Sequence, residues 1–437
     1  MDIDPAPNVL LVVMDSVRAA NCSLYDAPRE TTPFLSTLAT ESVTYTQARA
    51  PSNWSLPSHI SLFTGLEAHE HKVTVHDRLQ PGNTIFEELE QQGYATGLFS
   101  ENGFLTGHEV AIQECFETVV SAINTYENRY NTTNINPGPD GFYYADRLLD
   151  WTKELDRPWA ACLNIMDAHR PFEPRVEYDR WGDSRARDLQ RTLDPRWEWT
   201  FHSGDRPYWQ LSGLESLYDG GIRQADAVLE SVISSLRGQG ILDETLVVVC
   251  GDHGDGFGEP GHISGEPPAV SHIVPMHEEL LHVPLVVRPP GGTDGKQSHD
   301  LAALTQFPDV VRGHIRGGSS VEGEFATEQV LSKKQPVTAD LRDRFERQCE
   351  AANTYLAPSR VVYTDTNSKA VRKRYYWGSE GLAERVHCAG AVEALGAVSR
   401  REIDAAFDCD EAGVREPLEG AQPTDEVKDQ LAAIGYY

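Results

Sequence analysis

Val9-Leu10-Leu11-Val12-Val13-Met14 is apolar without a break and stops at Asp15-Ser16. A run of that length with no alternation predicts a strand buried on both faces, as in a parallel sheet covered by helices. The pattern returns along the chain. Tyr94-Ala95-Thr96-Gly97-Leu98-Phe99 stops at Ser100-Glu101-Asn102, the run from Trp159 to Met166 stops at Asp167-Ala168-His169, and Leu246 to Cys250 stops at Gly251-Asp252-His253. Further strands are expected over 42–48 and 282–288, and helices over 33–40, 84–92, 141–155 and 214–237. Strands alternating with helices predict an α/β fold with a mostly parallel sheet flanked by helices. Such sheets bind ligands off the carboxyl ends of their strands, and three of these ends carry acid or imidazole groups: Asp15, Asp167 with His169, and Asp252 with His253.

The 437 residues suffice for one large α/β domain with an appendage, or for two domains. From about Pro289 the pattern changes. A helix is expected over 300–311, a polar connection over 317–338, short alternating strands at 359–364 and 373–377, and a closing helix over 427–434. The expected division is 1–290 and 291–437, the second part a smaller α+β subdomain. Apolar periodicity is lost over 173–212, which reads as a long loop or lid, and 126–139 reads as a surface loop.

The formal net charge is −29, with acid spread along the whole chain and arginine outnumbering lysine. A surface this negative excludes nucleic acid or anionic lipid as a partner held through a basic face. Lysine-poor acidity points to a cytoplasmic protein of a halophile, with an ordinary acidic enzyme as the alternative. No stretch is long and apolar enough to span a bilayer, and the start of the chain lacks the basic region of a signal peptide. Seven scattered Cys without paired spacing read as free thiols in a reducing compartment.

Ala50-Pro51-Ser52-Asn53-Trp54-Ser55-Leu56-Pro57 leads a loop into a helix that ends at Gly65. Ser55 is expected at the N-cap, Pro57 is tolerated in the first turn, and Leu56, Ile60 and Phe63 share the inward face. That places a hydroxyl at the positive end of a buried helix, where an alkoxide is favoured. Asp15, Asp252 and His253 supply hard and borderline ligands for one divalent ion, and Gly251 and Gly254 let the backbone turn beside them. A metal beside Ser55 would make its hydroxyl a nucleophile.

These motifs, in this order, resemble the sulfatase branch of the alkaline-phosphatase superfamily over about residues 8–288, and more weakly to the end of the chain. Asp15-Ser16-Val17-Arg18 resembles the family's first metal motif, Ser55-Leu56-Pro57-Ser58-His59 its nucleophile motif, and Gly251-Asp252-His253-Gly254 its second metal motif. His277-Glu278-Glu279 and Leu431 to Tyr436 fit the segments that follow. The resemblance implies an enzyme with one divalent ion, calcium or manganese, held by Asp15, Asp252 and His253 with Ser16 as a fourth candidate. It implies Ser55, or its formylglycine, as the attacking group. His169, in a His-x-Pro-Phe motif, and His272 are the implied catalytic imidazoles, with His59 and Asn102 on the substrate.

Three departures qualify it. His59 stands where the formylglycine frame has Arg, so the maturation signal is incomplete. Ser16 replaces a second Asp. Glu101 and Gly103 stand where many sulfatases carry a Lys and a His. The expected activity is hydrolysis of a small-molecule or glycan sulfate or phosphate ester. The rivals are a phosphodiesterase or phosphotransferase using unmodified Ser55, and a non-catalytic binding protein on the same fold.

Overall fold

The opening run forms strand Asn8–Met14, which pairs in parallel with Trp159–Ile165 on one side and Thr245–Cys250 on the other. The computed structural model describes residues 6–121, 138–193, 197–272, 274–317, 323–334, 342–343, 346–347, 349, 352–366, 368–388, 390–409 and 413–418. The large sheet has eight strands in the order Lys296–Ala303, Val43–Arg49, Leu285–Arg288, Thr245–Cys250, Asn8–Met14, Trp159–Ile165, Ala95–Ser100 and Thr118–Val120. Only Leu285–Arg288 runs antiparallel to its neighbours. Alternate residues of the opening strand enter different cores: Val9, Leu11 and Val13 pack with the helix Ser55–Thr64, whereas Leu10, Val12 and Met14 pack with the helices Gly141–Lys153 and Leu211–Gly238. Both faces are therefore covered, which is why the strands read as unbroken apolar runs.

Register then positions the chemistry. Met14 lies opposite Ile165, Val13 opposite Cys250, and Ser100 opposite Asn164. The residues just past these ends, Asp15, Ser16, Asp252, His253 and Asn102, so converge at one edge of the sheet.

The C-terminal region carries the expected antiparallel unit, a five-stranded sheet in the order Gln329–Lys333, Ser359–Asp365, Ala370–Trp377, Glu380–His387 and Val392–Ala397. A buried ionic triad ties it to the large sheet. Glu278 lies 3.0 Å from Arg49 Nη2, at the end of Val43–Arg49, and 3.2 Å from Lys373 Nζ in Ala370–Trp377.

Several local expectations are corrected. Asp300–Ala303 is not helical: it ends the strand Lys296–Ala303, which lies beyond residue 290 yet joins the large sheet, and the helix is Phe307–Ile315. Leu301 and Ala302 are buried there, and the neighbouring strand supplies the backbone partners. The polar connection contains the strand Gln329–Lys333. Residues 173–212, expected as a long loop or lid, carry two helices, Ser184–Thr192 and Glu198–His202. Residues 126–137 and the expected closing helix at 427–434 lie outside the described residues. Among the described residues no helix is long and apolar enough to cross a membrane, and all seven cysteines are free thiols.

Candidate active site

The helix Ser55–Thr64 begins one residue earlier than a Ser55 cap would require. Trp54 is the extended N-cap residue, and Ser55 is the first helical residue, fully buried. Gly65 closes the helix with φ 77°, the left-handed geometry glycine adopts freely. Ser55 Oγ lies 3.3 Å from Asp15 Oδ2, 3.4 Å from Asp15 Oδ1 and 3.2 Å from His253 Nε2.

Asp15, Asp252 and His253 are all fully buried, and each offers one ligand atom within 4.8 Å of the others. His253 Nδ1 faces the Gly254 carbonyl at 2.8 Å and donates to it, so its Nε2 lone pair is left for the centre of the group. The Gly251 and Gly254 positions are needed for close approach more than for a turn. A Cβ at Gly254 would lie 1.9 Å from the Glu279 carbonyl oxygen, and one at Gly251 2.3 Å from that of Val17.

A divalent ion fits this donor set. Asp252 Oδ2 is buried without a hydrogen-bond partner, with His253 Nε2 at 3.5 Å and His59 Nδ1 at 3.6 Å. Burial and the neighbouring Asp15 carboxylate push the Asp252 carboxyl up. Burial acts on Asp15 in the same direction, but the imidazoles of His169, His253 and His59 outweigh it and hold that carboxyl below its ordinary range. Two carboxylates in one buried site, one of them forced upward, call for a compensating cation.

Ser16 serves both carboxylates. With φ 62° it donates its amide to Asp252 Oδ1 at 3.0 Å and its hydroxyl to Asp15 Oδ1 at 3.1 Å. Asn102 donates to Asp15 Oδ2 at 3.2 Å and accepts from the Phe104 amide at 3.1 Å. His59 is buried behind Ser55, Nδ1 2.9 Å from the Ser55 carbonyl and Nε2 3.2 Å from Asn164 Oδ1, so both ring nitrogens are engaged by protein groups.

His169 and His272 are brought to the site. Their ring centroids are 5.3 Å apart, and His272 is 4.6 Å from His253. Burial drives both below the ordinary imidazole range, His272 far below it. His169 Nδ1 is 2.7 Å from the Arg170 carbonyl, which fixes the proton there and the lone pair on Nε2. His262 and His277, which the sequence leaves as alternatives to His272, pair with Glu384 and Glu266. Asp167 turns away, accepting from the Gly141 amide at 3.0 Å and from Gln224.

Three residues join the site without having been singled out. Asn164 donates to Asp15 Oδ2 at 3.2 Å and to Ser100 Oγ at 3.1 Å. Asp255 lies 3.4 Å from His272 Nδ1, its carboxyl pushed up by burial. Arg170 is buried against Glu198 at 2.6 Å. The one available signal for Asn164 was a polar residue inside an apolar strand.

Residues 7–314 match the family model described as Sulfatase. Arylsulfatase K of Mus musculus is 22% identical over 71% of this chain and 59% of its own length. The chain thus spans about six-tenths of that relative. An ulvan-active sulfatase of Formosa agariphila is 22% identical over 85% of this chain and 72% of its own. Among solved structures, a phosphonate monoester hydrolase of Agrobacterium radiobacter shares the fold with TM-score 0.61 and 16% identity, covering 92% of this chain and 91% of that one.

Proposed function

The chain belongs to the sulfatase family, and from that premise we propose that it is a metal-dependent hydrolase of a sulfate or phosphate ester with unmodified Ser55 as nucleophile. The observation that carries this reading is the Ser55 hydroxyl, 3.2 Å from His253 Nε2 and 3.3 Å from Asp15 Oδ2. It sits at a helix start against the one Asp-Asp-His group found among the described residues.

Asp15, Asp252 and His253 would hold the divalent ion, and the imidazole among them favours manganese over calcium, which prefers oxygen ligands throughout. When bound, the ion supplies positive charge that lowers the hydroxyl pKa and offsets the anionic group under attack. Ser55 Oγ bonds to sulfur or phosphorus as the bond to the ester oxygen breaks. Water then displaces Ser55 Oγ. One proton moves in each half, from Ser55 to the departing alcohol and from water back to Ser55. His169 and His272, at the border of the site, are the groups that carry it. Ser16, Asn102 and Asn164 orient the carboxylates, and His59 braces the first helical turn behind the nucleophile.

His59 in place of the formylglycine-frame Arg favours an unconverted serine and a phosphate ester as the better substrate. Mass spectrometry of the Ser55 peptide, with rates on aryl phosphate and aryl sulfate esters, tests this. A serine mass, faster phosphate-ester cleavage and loss of all turnover in Ser55→Ala are expected. Ser58→Ala, whose hydroxyl donates to the Ser52 carbonyl instead, should cost much less. An aldehyde mass with faster sulfate cleavage would replace this reading with a formylglycine sulfatase. Wild-type rates in Ser55→Ala would remove the nucleophile assignment.

A further inference from the structure

A second cavity, of about 310 Å³, opens between the short helix Ala68–His71, the end of strand Gln329–Lys333 and the segments bearing Arg360, Phe407 and Arg415. Its volume is at the lower end of the range for small-ligand pockets, about 300–1,000 Å³. None of its lining residues belongs to the group around Ser55.

What lines it runs against the character of the chain. The protein has 67 acidic and 38 basic residues. Yet His69, Lys72, Lys333, Lys334, Arg360 and Arg415 all face this one cavity, and no Asp or Glu lines it among the described residues. Two of the cations have carboxylate partners nearby, Arg360 with Asp404 at 2.8 Å and Arg415 with Asp77 at 3.2 Å. Lys334 Nζ donates to the Tyr355 carbonyl at 3.0 Å and lies 5.1 Å from the Trp377 ring centroid. Neither Lys333 nor Lys334 has a carboxylate partner among the described residues.

The cations also feel one another. Lys333 is held below the ordinary lysine range by burial and then by Arg360, Lys72 and Arg415. Burial pushes Lys334 down to about 7, and His69 is pushed down to about 4 by burial and by Lys333, Arg360 and Lys72. His69 Nδ1 is buried without a hydrogen-bond partner, and its ring lies edge-on to Phe407 at 5.1 Å. Among the described residues this cavity gathers lysine and arginine side chains, a buried imidazole nitrogen without a hydrogen-bond partner and an aromatic wall, and it has room beyond a bare anion.

We propose that this pocket binds a small organic molecule through a phosphate or sulfate group. The oxyanion meets Lys333, Lys72 and Arg360, and the organic part lies along Phe407 and Val73. The assignment does not depend on the role given to Ser55.

Isothermal titration of the full chain at low ionic strength tests it, with inorganic phosphate as the first probe. Saturable binding is expected that persists in Asp252→Ala and weakens tenfold or more in Lys333→Glu and in Lys72→Glu. Lys153→Glu, at an exposed position on the helix Gly141–Lys153, should leave it unchanged. Melting temperatures identify any variant that fails to fold, and Lys72→Glu then stands in for Lys333→Glu. Binding that is indifferent to both lysines, that disappears with Asp252→Ala, or that is absent altogether overturns the proposal. Phenyl phosphate, titrated into Ser55→Ala so that it is not consumed, should bind more tightly than inorganic phosphate. Equal affinity overturns the organic part of the assignment.

Discussion

Asn164 reaches out of an otherwise apolar strand to donate its amide to Asp15 Oδ2 at 3.2 Å, while its carbonyl oxygen meets His59 Nε2 at 3.2 Å. One side chain therefore fixes a carboxylate of the Asp-Asp-His group and the imidazole behind Ser55. Outer partners of metal ligands commonly alter affinity by about 10- to 100-fold. Asn164→Ala is expected to weaken manganese binding within that range, measured by titration of the metal-free protein. Unchanged affinity would show that Asp15 is held well enough by Asn102 and Ser16.

One divalent ion per chain is expected on elemental analysis after incubation with calcium and manganese, with manganese retained preferentially. Asp252→Ala removes a carboxylate whose Oδ2 has no hydrogen-bond partner, and its metal content should fall to background. A wild-type protein without metal after that incubation would refute the metal site.

Glu278 gives a pH prediction. Burial raises its carboxyl, but Arg49 and Lys373 outweigh burial and hold it at about 2. In the unfolded chain the value returns to about 4.3. The stabilisation is thus fully present above about 4.3 and is lost as pH falls through about 2. Urea unfolding at pH 6, 4 and 2.5 should show this loss, and Glu278→Gln should flatten it. Glu278→Ala strands two buried cations and should cost about 3–5 kcal/mol at pH 7.

Salt is expected to stabilise the protein. At net charge −29 the surface repels itself, and molar salt shortens screening to about 3 Å. The melting temperature should rise by several degrees between dilute buffer and 2 M KCl. A flat or falling curve would count against adaptation to concentrated electrolyte.

The central strands and most of the site were legible because burial on both faces leaves no alternation and the polar residues that end such strands stand out. Other parts were hidden for physical reasons. Lys296–Ala303 is half exposed and polar, Lys-Gln-Ser-His-Asp, before its buried Leu301 and Ala302. The helix Ser184–Thr192 buries only Ala186 and Gln190, so it has no apolar stripe to read. Asp167 shares its strand end with His169 but is captured by Gly141 and Gln224, and only packing distinguishes the two. The place of His59 in the nucleophile motif is visible in the sequence; that its ring bridges the Ser55 carbonyl of its own helix and Asn164, 105 residues away, is set only by the fold.

The place of Lys296–Ala303 at the rim of the large sheet has a practical consequence. A fragment ending at residue 290 would keep every group around Ser55 but expose the flank of Val43–Arg49, whose amides and carbonyls pair with that strand. A bare flank of this kind recruits other chains. Such a truncation should therefore come out of expression as inclusion bodies, and the shortest fragment worth expressing should extend past the helix Phe307–Ile315.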